Sequence, residues 1–199
     1  MTFWDFCAPF YDSFEVLNKA YGQMINKVCE LTPPGGNVLE LAAGTGNISV
    51  ALSPMAKGVL CTDISDNMLK IAKRKAKKRK IENISFENMS IFEIDKADSS
   101  FDIVVASQVF HLIDEPQKAC AEIKRVTKGL AIIPIPLLKG GIDLGRFLIG
   151  SYKVFGFAPK HNFDEESCKE YLKKIGFENC ELHIIRGTVS LCIAVWRAR

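Results

Sequence analysis

The sequence has little of what marks metal-bound, disulfide-stapled or membrane-spanning proteins. It holds three histidines, and none falls with cysteines at metal-ligand spacing, so no metal is expected. Its seven cysteines, at positions 7, 29, 61, 120, 168, 180 and 192, include no C-x-x-C pair. That argues against a zinc knuckle or a thioredoxin-like motif. Several, such as Cys61 and Cys192, sit in apolar runs and read as reduced core thiols. No apolar run approaches the ~20 residues that cross a bilayer. The longest, Leu130 to Leu138, contains two prolines. The opening Met-Thr-Phe-Trp-Asp shows neither the basic start nor the apolar stretch of a secretion signal. Charge of one sign is also scarce: the net charge is +3, too weak an excess to argue for nucleic acid. A soluble, cytoplasmic protein is expected.

What is present fits one α/β domain. The chain has 199 residues, 48% apolar and 25% charged. Apolar residues from Val16 to Leu31 recur at helical spacing, and Pro33-Pro34-Gly35-Gly36 stops them. Short apolar strands are expected at 37–41, 58–62, 83–86, 101–106 and 129–135. Helices are expected at about 46–52, from Ser65 or Asp66 to about Lys80, and from Pro116 to Val126. A further helix spans 164–175 with Gly176 as its stop. The segments 180–185 and 189–197 read as a closing hairpin. Strands alternating with helices predict a three-layer, doubly wound, mostly parallel sheet of seven strands that ends in an antiparallel hairpin. The domain is taken as 1–199, with an N-terminal helical segment at 1–32 and a cap at about 137–160.

The strongest local signal is Val38-Leu39-Glu40-Leu41-Ala42-Ala43-Gly44-Thr45-Gly46-Asn47. A strand enters a small-residue turn and then a helix, where free N–H groups favour an anion. In a dinucleotide fingerprint a third glycine would follow, but Ser49 stands there. Glu40 precedes the loop. A carboxylate is unfavourable beside a pyrophosphate and favourable beside an amino acid's ammonium group, so the loop suits a zwitterion. Asp63 ends the second strand, placed to accept both ribose hydroxyls of a nucleoside.

These residues resemble the class I S-adenosylmethionine-dependent methyltransferases, in particular those similar to the ubiquinone and menaquinone biosynthesis C-methyltransferases. The resemblance covers about residues 5 to 135. The glycine loop matches the family's first motif, with Ala42 where the first glycine is usual. Asp63-Ile64-Ser65-Asp66-Asn67-Met68-Leu69 matches the next, and Ser99 to Ser107 matches the fourth-strand motif. Phe110-His111-Leu112-Ile113-Asp114-Glu115-Pro116 follows as in the family. Ala8-Pro9-Phe10-Tyr11-Asp12 is similar to its N-terminal segment, whose tyrosine can close over the cofactor.

The resemblance implies S-adenosylmethionine as cofactor. Glu40 would hold the methionine ammonium through backbone or water, and Ala42, Gly44 and Gly46 would give room to the methionine part. Asp63 would take the ribose, and Ile64 and Met68 would flank the adenine. Ser107 would lie near the methionine end, and Tyr11 would cover the site. One departure stands out: the family's usual Gly-Asp after the third strand is Met89-Ser90 here. A neutral hydroxyl is a weaker acceptor than a carboxylate. The expectation is therefore either weaker cofactor affinity or adenine recognition through backbone groups near Met89 to Phe92, with Ser90 and Ile91 among the cofactor-binding residues.

Methyl transfer from a sulfonium is an in-line displacement, and a base is needed only if the acceptor must lose a proton. His111 is the candidate base, weighed against a core or capping role. His161 reads as a loop residue and His183 as structural. Lys70 to Lys80 carries eight basic residues in eleven, read as a solvated helix face rather than a nucleic-acid patch, because no aromatics interleave. The apolar, aromatic cap has three readings: a lid on an acceptor pocket, buried structure, or transient membrane contact. The expected activity is methyl transfer to a small, apolar or amphiphilic acceptor. The rivals are an RNA or protein methyltransferase and a catalytically silent S-adenosylmethionine-binding partner protein.

Overall fold

A computed structural model describes residues 4, 5, 8, 9, 11, 12, 19–139 and 159–198. The expected cap at 137–160 falls almost wholly outside the described residues, as does much of the segment 1–32. The element order is α1 (Lys19–Leu31), β1 (Asn37–Leu41), α2 (Asn47–Leu52), β2 (Gly58–Asp63), α3 (Asp66–Lys78) and β3 (Ile84–Asn88). There follow β4 (Phe101–Ala106), α4 (Pro116–Val126), β5 (Thr127–Leu137), α5 (Glu165–Ile175), β6 (Glu181–Ile185) and β7 (Ser190–Arg197). No described helix is long and apolar enough to cross a membrane.

The seven strands form one sheet in the order β3-β2-β1-β4-β5-β7-β6. Strands β1 to β5 pair parallel, while β7 pairs antiparallel with both β5 and β6. The expected doubly wound sheet and closing hairpin are both present. The chain winds outward from β1 to β3, then returns to β4 on the other side of β1. That reversal creates a crevice beyond the carboxyl ends of β1 and β4, where such sheets take their ligands.

Alternation along the strands divides the core between two faces. Leu39, Val104 and Ile133 meet α4 and α5 through Ile123, Val126 and Leu172. Val38, Val105 and Ile132 meet α1 and α2 through Met24, Val28 and Leu52. Cys61 of β2 packs with Leu69 and Ala72 of α3. Glu40 shares the parity of Val38, so β1 turns its carboxylate toward α2.

Local chemistry sets the helix ends near the crevice. Ser65 caps α3, its hydroxyl accepting from the Met68 N–H at 3.2 Å. Pro116 sits in the first turn of α4, and Asp164 caps α5 in a reciprocal box with Ser167. Gly176 ends α5 at φ 110°, a conformation that suits glycine.

Candidate active site

A cavity of about 490 Å³ opens at the carboxyl ends of β1, β2 and β4. That is ample for a nucleoside-sized ligand. Nine of the eleven expected site residues line it: Tyr11, Ala42, Gly44, Asp63, Ile64, Met68, Ser90, Ile91 and Ser107. Glu40 and Gly46 do not.

The floor is the turn after β1. Ala42 and Gly44 both adopt left-handed backbone, at φ 52° and 56°. The turn is pinned to β2, with the Ala43 N–H donating to the Thr62 carbonyl at 2.9 Å. The Gly44 N–H donates to Asp63 Oδ2 at 2.8 Å, and the Ser65 N–H donates to Oδ1 at 2.8 Å. A carboxylate has about four lone-pair sites, so capacity remains for a hydroxyl donor. Burial raises the Asp63 pKa above the usual carboxylate value, against the opposing pull of these backbone donors. Asp63 is only 7% exposed, and it lines the cavity.

Gly46 corrects the expectation that it makes room for a ligand. A Cβ there would stand 2.8 Å from the Ala72 Cβ, and its φ is 74°. Its bareness lets the loop lie against α3, so the residue serves packing. Glu40 stands off the cavity, as its expected action through backbone or water allows. It is 1% exposed, and its Oε2 accepts from the Ser49 N–H at 2.8 Å and from the Ser49 hydroxyl. Burial pushes its pKa up to about 7, partly offset by the bonds from Ser49. It braces the start of α2 under the loop.

One wall is built for a flat apolar group. Ile64, at 51% exposure, is the only large hydrophobic side chain left exposed among the described residues, and it stands on the cavity rim. Met68, Met89 and Ile91 continue that wall. Ser90 occupies the place expected for an acid, and its Oγ accepts from the Phe92 N–H at 3.2 Å. The opposite wall follows β4. Ser107 makes one weak contact, its hydroxyl 3.5 Å from the Met24 sulfur. Gln108 has left-handed backbone at φ 51° and is fixed by its N–H to the Pro134 carbonyl at 2.8 Å. Val109, Leu112 and Ile113 add apolar surface, and Asp114 and Glu115 stand at the mouth.

Sequence reasoning missed Trp4 and Gln108. Trp4 lines the cavity beside Tyr11, ring centroids 6.5 Å apart and nearly perpendicular. Gln108 carried only a positional signal, two residues past the apolar strand core. His111, the candidate base, is not on the cavity. It is 8% exposed, its Nδ1 lacks a hydrogen-bond partner, and burial lowers its pKa to about 3. It is a neutral core residue. His161 stacks with Phe163 and tilts against Tyr171. His183 lies on β6, 3.0 Å from Glu181.

Residues 39–133 match the family model described as a methyltransferase domain. A demethylmenaquinone methyltransferase of Leptospira interrogans is 30% identical over 184 residues, covering 79% of this chain and 74% of that protein. Another, of Clavibacter sepedonicus, is 28% identical over 178 residues, covering 79% and 72%. Among solved structures, magnesium protoporphyrin IX methyltransferase from Synechocystis, with bound SAH, superposes with a TM-score of 0.69. It is 16% identical and covers 90% of this chain and 84% of its own.

Proposed function

The chain belongs to the class I S-adenosylmethionine-dependent methyltransferases, and we propose that it methylates a small apolar or amphiphilic acceptor in the cavity beyond β1, β2 and β4. The carrying observation is the Asp63 carboxylate. It is fixed by the Gly44 and Ser65 N–H groups at the end of β2, in a residue that lines the cavity.

The residues fit a nucleoside-linked amino acid. Asp63 accepts the ribose hydroxyls. Ile64, Met68 and Met89 enclose the adenine, with Ser90 and Ile91 at its edge. Gly44 leaves its α-carbon bare for the methionine part, and Ser107 and Tyr11 border that end. Glu40 acts at one remove, holding Ser49 and so the loop. Bound there, S-adenosylmethionine supplies a methyl group on a positively charged sulfur.

The chain's own task is then to place an acceptor about 3–3.5 Å from that carbon, in line with the sulfur, and to exclude water. Val109, Leu112, Ile113 and Phe92 give the remaining cavity an apolar lining suited to a ring or chain. The relatives named for demethylmenaquinone support this class of acceptor. No histidine lines the cavity among the described residues.

Calorimetric titration with S-adenosylmethionine tests the reading. Wild type should bind in the micromolar range, about −8 kcal/mol. Asp63→Ala should lose at least tenfold while keeping its circular dichroism. No heat with wild type would overturn the assignment.

A further inference from the structure

The run Lys70 to Lys80 hides one residue that differs from the rest. Seven of its basic residues are exposed, but Lys75 is half-buried against the loop. Its Nζ donates to Asn47 Oδ1 at 2.6 Å and lies 2.8 Å from Asp12 Oδ1 and 2.7 Å from Asp12 Oδ2. Asp12 Oδ1 also accepts from the Thr45 hydroxyl at 2.6 Å and from Asn47 Nδ2 at 3.1 Å. One carboxylate thus ties together the N-terminal segment, the glycine loop and α3.

The tie sets a register. Tyr11 precedes Asp12 as Gly44 precedes Thr45. With Asp12 on Thr45, Tyr11 lies over Gly44, its Cε1 3.7 Å from where a Cβ of Gly44 would stand. The close approach of Gly46 to Ala72 brings Lys75, one helical turn further on, within reach of the loop. A second tie stands at the other end of the segment, where Asp5 Oδ1 accepts from the Ser65 hydroxyl at 2.6 Å. Trp4 and Tyr11, beside these two acids, both form cavity wall.

We infer that Lys75 is a positioning residue: through Asp12 it holds Tyr11, and with it Trp4, as the wall that retains the bound nucleoside. The inference rests on the methyltransferase reading for its ligand. The tie itself rests on geometry alone.

The test uses a Trp196→Phe background, which leaves Trp4 as the only tryptophan. Acrylamide quenching of Trp4 in the unliganded protein reads the tie. The dissociation rate of S-adenosylmethionine reads its consequence. Lys75→Met and Asp12→Asn should each raise quenching and speed dissociation about tenfold, the scale of a lost charge-assisted bond. The double variant should be no worse than either single one, as partners in one network require. Lys75→Arg should recover most of the effect, and Lys77→Met, on the exposed face, should change neither readout. If the Lys75 variants fail to fold, Asp12→Asn carries the test. Wild-type quenching and dissociation in both Lys75→Met and Asp12→Asn would overturn the inference. If the parent protein binds no S-adenosylmethionine, the methyltransferase reading falls, and quenching alone decides whether Lys75 holds that wall.

Discussion

Glu40 is a carboxyl group that folding makes harder to ionise. Removal from water raises its pKa to about 7, and the Ser49 bonds and the more distant Lys75 only partly oppose this. Between the ordinary carboxyl value and about 7, the native protein keeps a proton that the unfolded chain has released. Its contribution to stability therefore falls as pH rises through that window and levels off above it. One such group gives a slope of at most about 1.4 kcal/mol per pH unit. Urea unfolding of wild type from pH 5 to 8 should show this decline. Glu40→Gln, whose amide oxygen can still accept from Ser49, should show a flatter profile. Asp63, also raised by burial, contributes in the same direction and remains in the variant. Equal slopes in the two proteins would mean that Glu40 is charged throughout. The sequence showed that an acid stands before the loop. That its carboxylate turns under the loop follows from strand parity with Val38, and its bonds to Ser49 need the packed structure.

At the scale of elements, periodicity located most helices and strands because their apolar faces are buried in simple alternation. The fifth strand runs longer than expected, from Thr127 to Leu137 rather than 129 to 135. Pro134 and Pro136 argue against a central strand there, since proline gives the ladder no N–H. The structure resolves this through the neighbours. The pairing of β4 with β5 ends at Val105 and Ile132, whereas β7 pairs as far as Leu137. The Pro134 carbonyl accepts from Gln108, beyond the end of β4, so the imide side of Pro134 faces that same edge. No ladder bond is forfeited. Pro134→Ala should cost no more than about 1 kcal/mol, the chain entropy proline removes. Ile133→Pro, at a position whose N–H turns to β7, removes a ladder bond and leaves a buried carbonyl unpaired, a loss of about 1–3 kcal/mol before any steric cost. Thermal melts of the two variants compare them directly, and similar losses would contradict this placement of the strand. Lys75 was less legible. It follows Met68 and Ala72 on the inward edge of α3, but seven exposed basic neighbours masked it. Its partner Asp12 lies 63 residues away, a pairing only the fold creates.

For the whole molecule, the reversal of strand order opens the crevice, and the β1 and β2 ends decide what enters it. A dinucleotide fold offers the N–H groups at its first helix to a diphosphate. Here the Ser49 N–H and hydroxyl are both taken by Glu40. A diphosphate would find that donor occupied and a buried acid beneath the loop. An amino acid's ammonium group meets no such conflict. Ligands should therefore divide sharply in their effect on global stability. S-adenosylmethionine or S-adenosylhomocysteine at a hundredfold excess over Kd should stabilise the native state by about 2.7 kcal/mol. For a domain of this size that raises Tm by about 5–10 °C. A nicotinamide dinucleotide at the same concentration should leave Tm unchanged, and Asp63→Ala should lose most of the shift with the first two ligands. Wild type stabilised by the dinucleotide would show that the glycine loop accepts a diphosphate despite Glu40. The crevice would then have to be reassigned from methyl transfer to hydride transfer.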